Sequence, residues 1–328
     1  MRPAAVGPTR RGLAALGMAL FVPSVRAQPA FPDRPVRLVV PNPPGGPSDI
    51  VARLLADAMQ ADLGQALVVE NRAGAAGLIG TAAVAASPAD GHTVLVTSRS
   101  NHVIAPLVQK GSLVNPQREL DAVGLALRAV GMLATHAKAP YRTLADLVAF
   151  AKAHPGQVFY GSAGIGATNH IAVEQFCRLA GITLTHVPYK GSGALITALM
   201  AGEVALAMLD FSSAQVGLQN RSLVPLVQTA RRRLVSLPQV PTLAEAGYAD
   251  FDASFWIGLA VPHGTPAAAV ARLNRALNVA LSQTAIRARA QVNGWELVGG
   301  LPAVLTQTVA QDLAGYPALI RQLDLKPS

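Results

Sequence analysis

Hydrophobic positions along this chain alternate between two rhythms. Short runs rich in Val, Leu and Ile end at Pro or Gly and give way to stretches in which apolar residues recur every three to four positions. That alternation predicts strands handing over to helices, the signature of an α/β protein. Val36 to Val40 reads as the first strand, residues 41–47 as a Pro- and Gly-rich loop, and Ser48 as the cap of a helix. The helix is expected to bury Ile50, Val51, Leu54, Leu55 and Ala58 on one face and to stop at Gly64. Further strands are expected at residues 66–70, 93–97, 158–160, 184–187, 204–209, 223–229 and 255–261. Helices fill the intervals, one of them opened by a capping box of Thr143 and Asp146. A late helix is expected with Thr265 as cap and Pro266 at its first position, and a final one with Pro317 as a kink.

The strand ends share a chemistry. Tyr160 to His170, reading YGSAGIGATNH, places three glycines and several small polar residues just before a helix expected near Thr168 or Asn169. Glycines let backbone N–H groups approach a ligand, and a helix start directs unpaired N–H groups and its positive dipole end at one point, so the stretch suits a carboxylate or phosphate. Residues 41–49 form a second loop of the same design. Ser98 and Asn101 follow a third strand and Asp210 a fourth. Ligands of open α/β sheets bind at such strand ends.

Several chemistries are excluded by what these loops lack. No loop carries the lysine of a phosphate-binding Gly-x-x-x-x-Gly-Lys motif. Gly164-Ile165-Gly166-Ala167-Thr168-Asn169 misses the third glycine of a dinucleotide fingerprint, and no acid occurs between Glu174 and Glu203 to hold a ribose. No cofactor is expected. The seven histidines have no metal-ligand spacing, and the single cysteine, Cys177, permits neither an internal disulfide nor a thiolate metal site. A Ser162–His170 pair leaves an extracytoplasmic serine-dependent hydrolase as the alternative from another class; no third residue is evident to orient the histidine.

Composition adds size and destination. The 328 residues are 51% hydrophobic and 14% charged, enough for two globular lobes. Arg2, Arg10 and Arg11 precede an apolar run, Leu13 to Val22, and then Val25-Arg26-Ala27, which reads as an export signal over residues 1–27 cleaved after Ala27. Loss of its four arginines takes the formal charge from +9 to +5. Such a mildly basic chain, with Arg231-Arg232-Arg233 confined to a connector, gives no footprint for nucleic acid.

Six stretches in fixed order, FPDRPVRLVVPNPPGG followed by PSD, VENRAGAAG, DGHTVLV, YGSAGIGATNH, HVPYKGSG and PTLAEAG, resemble the Bug family of tripartite-tricarboxylate-transporter solute receptors. The resemblance runs from about Phe31 to about Asn293. It implies an α/β, two-lobed periplasmic binding protein of the second type, with the ligand in the cleft between lobes. Residues 28–128 plus 251–328 would form the first lobe and residues 129–250 the second. The implied role is an exported, non-catalytic, monomeric receptor that delivers a small carboxylate, organic acid or amino-acid-like, to integral membrane subunits; reporting to a signalling partner is the variant of that role. Carried onto this sequence, the implied ligand-binding residues are Pro43, Pro44, Gly45, Gly46, Ser48, Asp49, Ser98, Asn101, Gly161, Ser162, Ala163, Gly164, Gly166, Thr168, Asn169, His170 and Asp210. Leu209 departs from the family pattern, standing where an aromatic is usual, which bears on ligand identity.

Overall fold

In the computed structural model the described residues are 1, 3, 4 and 31–323, apart from 110, 250 and 252. The apolar run and cleavage site of the expected export signal lie outside them.

Eleven strands form two sheets among these residues. In chain order they are β1 Val36–Val40, β2 Leu67–Asn71, β3 Thr93–Ser98, β4 Leu120–Ala129, β5 Gly131–His136, β6 Phe159–Ser162, β7 Thr185–Pro188, β8 Leu206–Asp210, β9 Leu223–Gln228, β10 Phe255–Pro262 and β11 Trp295–Leu297. The larger sheet runs β11-β4-β10-β3-β1-β2 and the smaller β7-β6-β8-β5-β9. β1 is parallel to both β2 and β3, and β6 to both β7 and β8, as helical crossovers require. β10 lies antiparallel between β3 and β4, and β5 antiparallel between β8 and β9. The chain leaves the larger sheet at Ala129, enters the smaller at Gly131, and returns at Phe255.

Each sheet is buried by helices whose apolar stripes match the expected period. Helix Pro47–Leu63 lays Val51, Leu55, Ala58 and Met59 on the larger sheet and packs against helix Ala267–Ser282 through a common core with Leu273, Leu277 and Leu281. It stops at Gly64, in the left-handed conformation at φ 72°, as expected. Helix Thr168–Ala180 does the same for the smaller sheet with Val173, Phe176 and Cys177. Cys177 is a core residue, its thiol pushed up to about 12 by burial first and by Glu174 second, so it is inert as a nucleophile.

Three local expectations change. Ile50 is 44% exposed rather than buried, because the stripe turns one position away from it. Gly46, not Ser48, is the cap of the first helix; Pro47 takes the first helical position, where its missing N–H costs nothing, and Ser48 becomes a free side chain in the first turn. Pro266 caps helix Ala267–Ser282, while Thr265 donates its hydroxyl back to the Pro262 carbonyl. The last helix runs from Ala303 to Gln322 with Pro317 inside it. The Thr143–Asp146 capping box is present as expected, with both reciprocal bonds made.

Candidate functional site

A cavity of about 100 Å³ opens where strand ends of the two sheets meet, lined from both. At roughly 10 to 15 Å³ for each water-sized occupant it has room for about seven to ten such centres. From the larger sheet come Asn42, Pro43 and Gly46 to Ser48 after β1, and Ser98 and Ser100 after β3; from the smaller come Ala163 and Ala167 to Asn169 after β6, Ser192, and Asp210 and Ser213 after β8. Asp210 is the one charged residue in that lining, and no lysine or arginine contributes to it.

Helix starts converge on this space. The helices Pro47–Leu63, Thr168–Ala180 and Ser192–Ala201 all begin at the cavity, and none has a side-chain cap. Their first-turn residues Ser48, Thr168 and Ser192 line it. Among the described residues, no protein acceptor takes the N–H groups of Ser48, Thr168 or Asn169. Uncapped helix starts leave donors and positive dipole ends pointing at whatever fills the cleft.

The glycine-rich loop serves this arrangement differently from its sequence reading. Its own amides are largely spent on holding its shape. Ala163 N–H donates to Asn169 Oδ1 (3.2 Å), Gly164 N–H to Ser162 Oγ (3.2 Å), Gly166 N–H to His170 Nδ1 (3.3 Å) and Ala167 N–H to the Gly164 carbonyl (3.1 Å). Gly164 and Gly166 adopt φ of 131° and 80°, which a side chain would resist. Ser162, fully buried, and His170 stand behind the cavity wall. Ser162 Oγ lies 2.6 Å from His186 Nε2, and the His186 ring packs against both His170, at 4.0 Å, and Tyr160, at 4.9 Å, which are themselves 6.5 Å apart. The Tyr160 hydroxyl donates to Glu174. The histidine beside Ser162 is therefore His186, not His170, and a serine with no exposed surface cannot attack a bound solute.

The loop after β1 is built in the same manner. Asp49, expected among the ligand residues, turns away to accept from Gly45 N–H (3.0 Å), the Arg53 guanidinium (3.0 and 3.1 Å) and Asn71 Nδ2 (2.9 Å). Burial raises its pKa, but the Arg53, Gly45 and Asn71 bonds outweigh that and hold it below the ordinary value. Asn101 is likewise a prop: its Oδ1 accepts from the Ser98 N–H and hydroxyl (2.8 and 2.7 Å), and its Nδ2 donates to Thr81 (2.9 Å). Asp210 caps helix Phe211–Gln219, accepting from Ser213 N–H (3.2 Å), Ser213 Oγ (2.5 Å) and the Ser212 hydroxyl. Burial raises its pKa, and the two serines only partly offset this.

Of the residues expected to bind ligand, Pro43, Gly46, Ser48, Ser98, Ala163, Thr168, Asn169 and Asp210 line the cavity. Pro44, Gly45, Asp49, Asn101, Gly161, Ser162, Gly164, Gly166 and His170 stand outside that lining. At Gly161 the space a side chain would need is filled by Leu195, 2.3 Å from the Cβ position. The sequence reading missed Asn42, Ser100 and Ser192, and an apolar wall of Val51, Leu127, Phe255, Ile257 and Trp295. Ser192 was within reach, since it opens a helix after Pro188-Tyr189-Lys190-Gly191 as Thr168 does after its own loop. The wall had no local signal, because its members come from four distant elements.

The buried stack yields a pH prediction. Burial depresses His170 to about 3, with His186 adding to the effect, and depresses His102 and His186 to about 4. An unfolded chain takes up protons as pH falls through about 6.5, whereas the folded chain does not until about 4. Stability should thus be constant above 6.5 and fall between 6.5 and 4, by up to about 1.4 kcal/mol per pH unit for each histidine. Asp210, shifted upward, works in the opposite direction. Urea titrations from pH 7.5 to 4.5 should show the fall, and His186→Phe, which keeps the stack, should flatten it by about one proton; a wild-type slope of zero would refute the buried neutral histidines.

The profile of the family described as tripartite tricarboxylate transporter family receptor matches residues 51–325. The chain belongs to that family. BugT of Bordetella pertussis is 34% identical to it, over 96% of this chain and 98% of BugT. Three solved structures superimpose closely. The periplasmic binding protein BugD has a TM-score of 0.86 at 28% identity, covering 91% of this chain and all of BugD. An R. palustris protein solved with adipate scores 0.87 at 30% identity, covering 91% and 100% of the two chains. MatC from Rhodopseudomonas palustris, with bound malate, scores 0.84 at 31% identity, covering 88% and 100%. This receptor has the two-lobed α/β fold of periplasmic binding proteins, and its relatives are binding proteins of the periplasm rather than enzymes.

Proposed function

We propose that this receptor captures a small carboxylate in the cleft between its sheets and presents it to the membrane subunits of a tripartite-type transporter. The observation that carries the reading is the convergence of uncapped helix starts, with Ser48, Thr168 and Ser192 in their first turns, on a cavity lined without lysine or arginine. Such a site binds an anion through several N–H and O–H bonds, each worth roughly 1.5 to 3 kcal/mol with a charged acceptor. The adipate and malate of the solved relatives have about nine or ten non-hydrogen atoms, a size that the cavity accommodates.

The same reading assigns residues 28–128 plus 251–328 to one lobe and 129–250 to the other, which hinge together over the solute. Thr168 and Asn169 would take one carboxylate from the second lobe, with Ser48 and Ser100 closing from the first. Asp49, Asn101, Ser162 and His170 would act through the loops they hold. Export by the leader of residues 1–27 would place the receptor in the periplasm.

Thermal melts with and without acids of two to six carbons test this. A ligand at 100 times its Kd adds about 2.7 kcal/mol, several degrees of Tm for a chain of this length. Stabilisation by at least one carboxylate is expected. Stabilisation by phosphate, a phosphonate or a neutral sugar, with every carboxylate inert, would overturn the assignment.

A further inference from the structure

The helix starts account for one end of the solute; the other end meets a different surface. In the larger sheet, Phe255, Ala129 and Trp295 stand side by side in one register row, and Ile257 and Leu127 in the next. All five line the cavity, and Val51 and Leu209 extend the same wall from the first helix and from β8. Leu127, Leu209, Ile257 and Val51 are buried core side chains, so the wall is set by packing rather than by solvent.

This wall is poor in partners for charge. The Trp256 indole beside it already donates to Asp312 (2.8 Å), leaving the Trp295 indole as the wall's one side-chain N–H among the described residues. The one charge in the cavity's lining is negative: Asp210 follows Leu209 directly and pairs with Gly131, two residues beyond Ala129. A second carboxylate laid here would lose its hydration, find no cation, and border an acid whose oxygens are engaged with Ser212 and Ser213. An ammonium would find three of that acid's roughly four acceptor positions already taken. A hydrocarbon loses nothing by leaving water.

Building on the carboxylate reading above, we infer that the solute is a monocarboxylate with an apolar tail, alkyl or aryl, of about four to six carbons. Its head lies at Thr168 and Asn169 and its tail on the wall of Leu127, Leu209, Phe255 and Trp295. Adipate has a hydrocarbon middle that would fit the same wall, so comparing it with hexanoate isolates the cost of the second carboxylate.

Calorimetric titration of the wild-type receptor with butanoate, hexanoate, benzoate, succinate, adipate and norleucine tests this directly. Affinity should rise about fourfold for each methylene from butanoate to hexanoate. Hexanoate should bind at least tenfold more tightly than adipate or norleucine, and butanoate more tightly than succinate. A diacid or norleucine matching its monocarboxylate partner, or affinity flat with chain length, overturns the inference while leaving a carboxylate receptor standing. If no acid binds and phosphate or a neutral solute does, the receptor reading fails and takes this one with it. Val51→Thr, which keeps the side chain's shape, should weaken hexanoate several-fold relative to succinate; equal effects on both would also count against the apolar tail.

Discussion

Asn169→Asp should weaken carboxylate binding by at least about 100-fold without lowering the melting temperature of the free receptor. Asn169 is the second residue of helix Thr168–Ala180, and it lines the cavity. Its Oδ1 accepts from Ala163 N–H at 3.2 Å, a role that an aspartate oxygen of the same shape fills equally well. What changes is charge. A carboxylate about 5 Å from the bound head repels it by roughly 3 kcal/mol at an effective dielectric near 20, a factor above 100 in Kd. The same charge at an uncapped helix start is stabilising by about 0.3 to 1 kcal/mol, so folding should hold or improve. Calorimetry and a melt on one preparation separate the two effects. Binding within threefold of wild type would show that the head of the solute is not held at this helix start.

The alternation of strand and helix could be read from the sequence because each element carries its own period, and the turn residues between them mark its ends. Gly64 and the Thr143 capping box are where they were expected because both are decided within one turn of backbone. The candidate loops could be read for a similar reason. Their residues did not announce which of them would face the solute. Ser162, Asp49 and His170 look like ligand groups in a linear string, yet each hydrogen-bonds a loop amide from behind the wall. A small polar residue beside a glycine can satisfy the loop or the ligand, and only the direction of the side chain decides. The partner of Ser162 is 24 residues away, on the neighbouring parallel strand, a pairing that local pattern cannot reveal. The apolar wall was hidden for the same reason: Ala129, Phe255 and Trp295 become neighbours only when β4, β10 and β11 pair.

The largest stability effect should come from a contact still more remote in sequence. Arg99 follows β3 between the cavity residues Ser98 and Ser100, and only 2% of its side chain is exposed. Its guanidinium makes a two-pronged bond, 2.9 Å on each arm, with Asp312 of the last helix, 213 residues away, and donates to the Ser254 carbonyl (2.6 Å). Asp312 also accepts from the Trp256 indole. Asp312→Ala would take from the buried guanidinium its two-pronged carboxylate and from the Trp256 indole N–H its acceptor, a loss of about 3 to 5 kcal/mol. For a chain of this size the melting temperature should fall by about 6 °C or more. Replacing both partners with apolar groups, Arg99→Met with Asp312→Leu, removes the buried guanidinium and should recover part of that loss, the Trp256 indole still lacking its acceptor. Solute affinity should not recover with it, since the short turn carrying Ser98 and Ser100 is anchored to the last helix through this pair. If Asp312→Ala melts within a degree of wild type, the pair is not what secures the cleft's far wall, and the coupling between the last helix and the site falls with it.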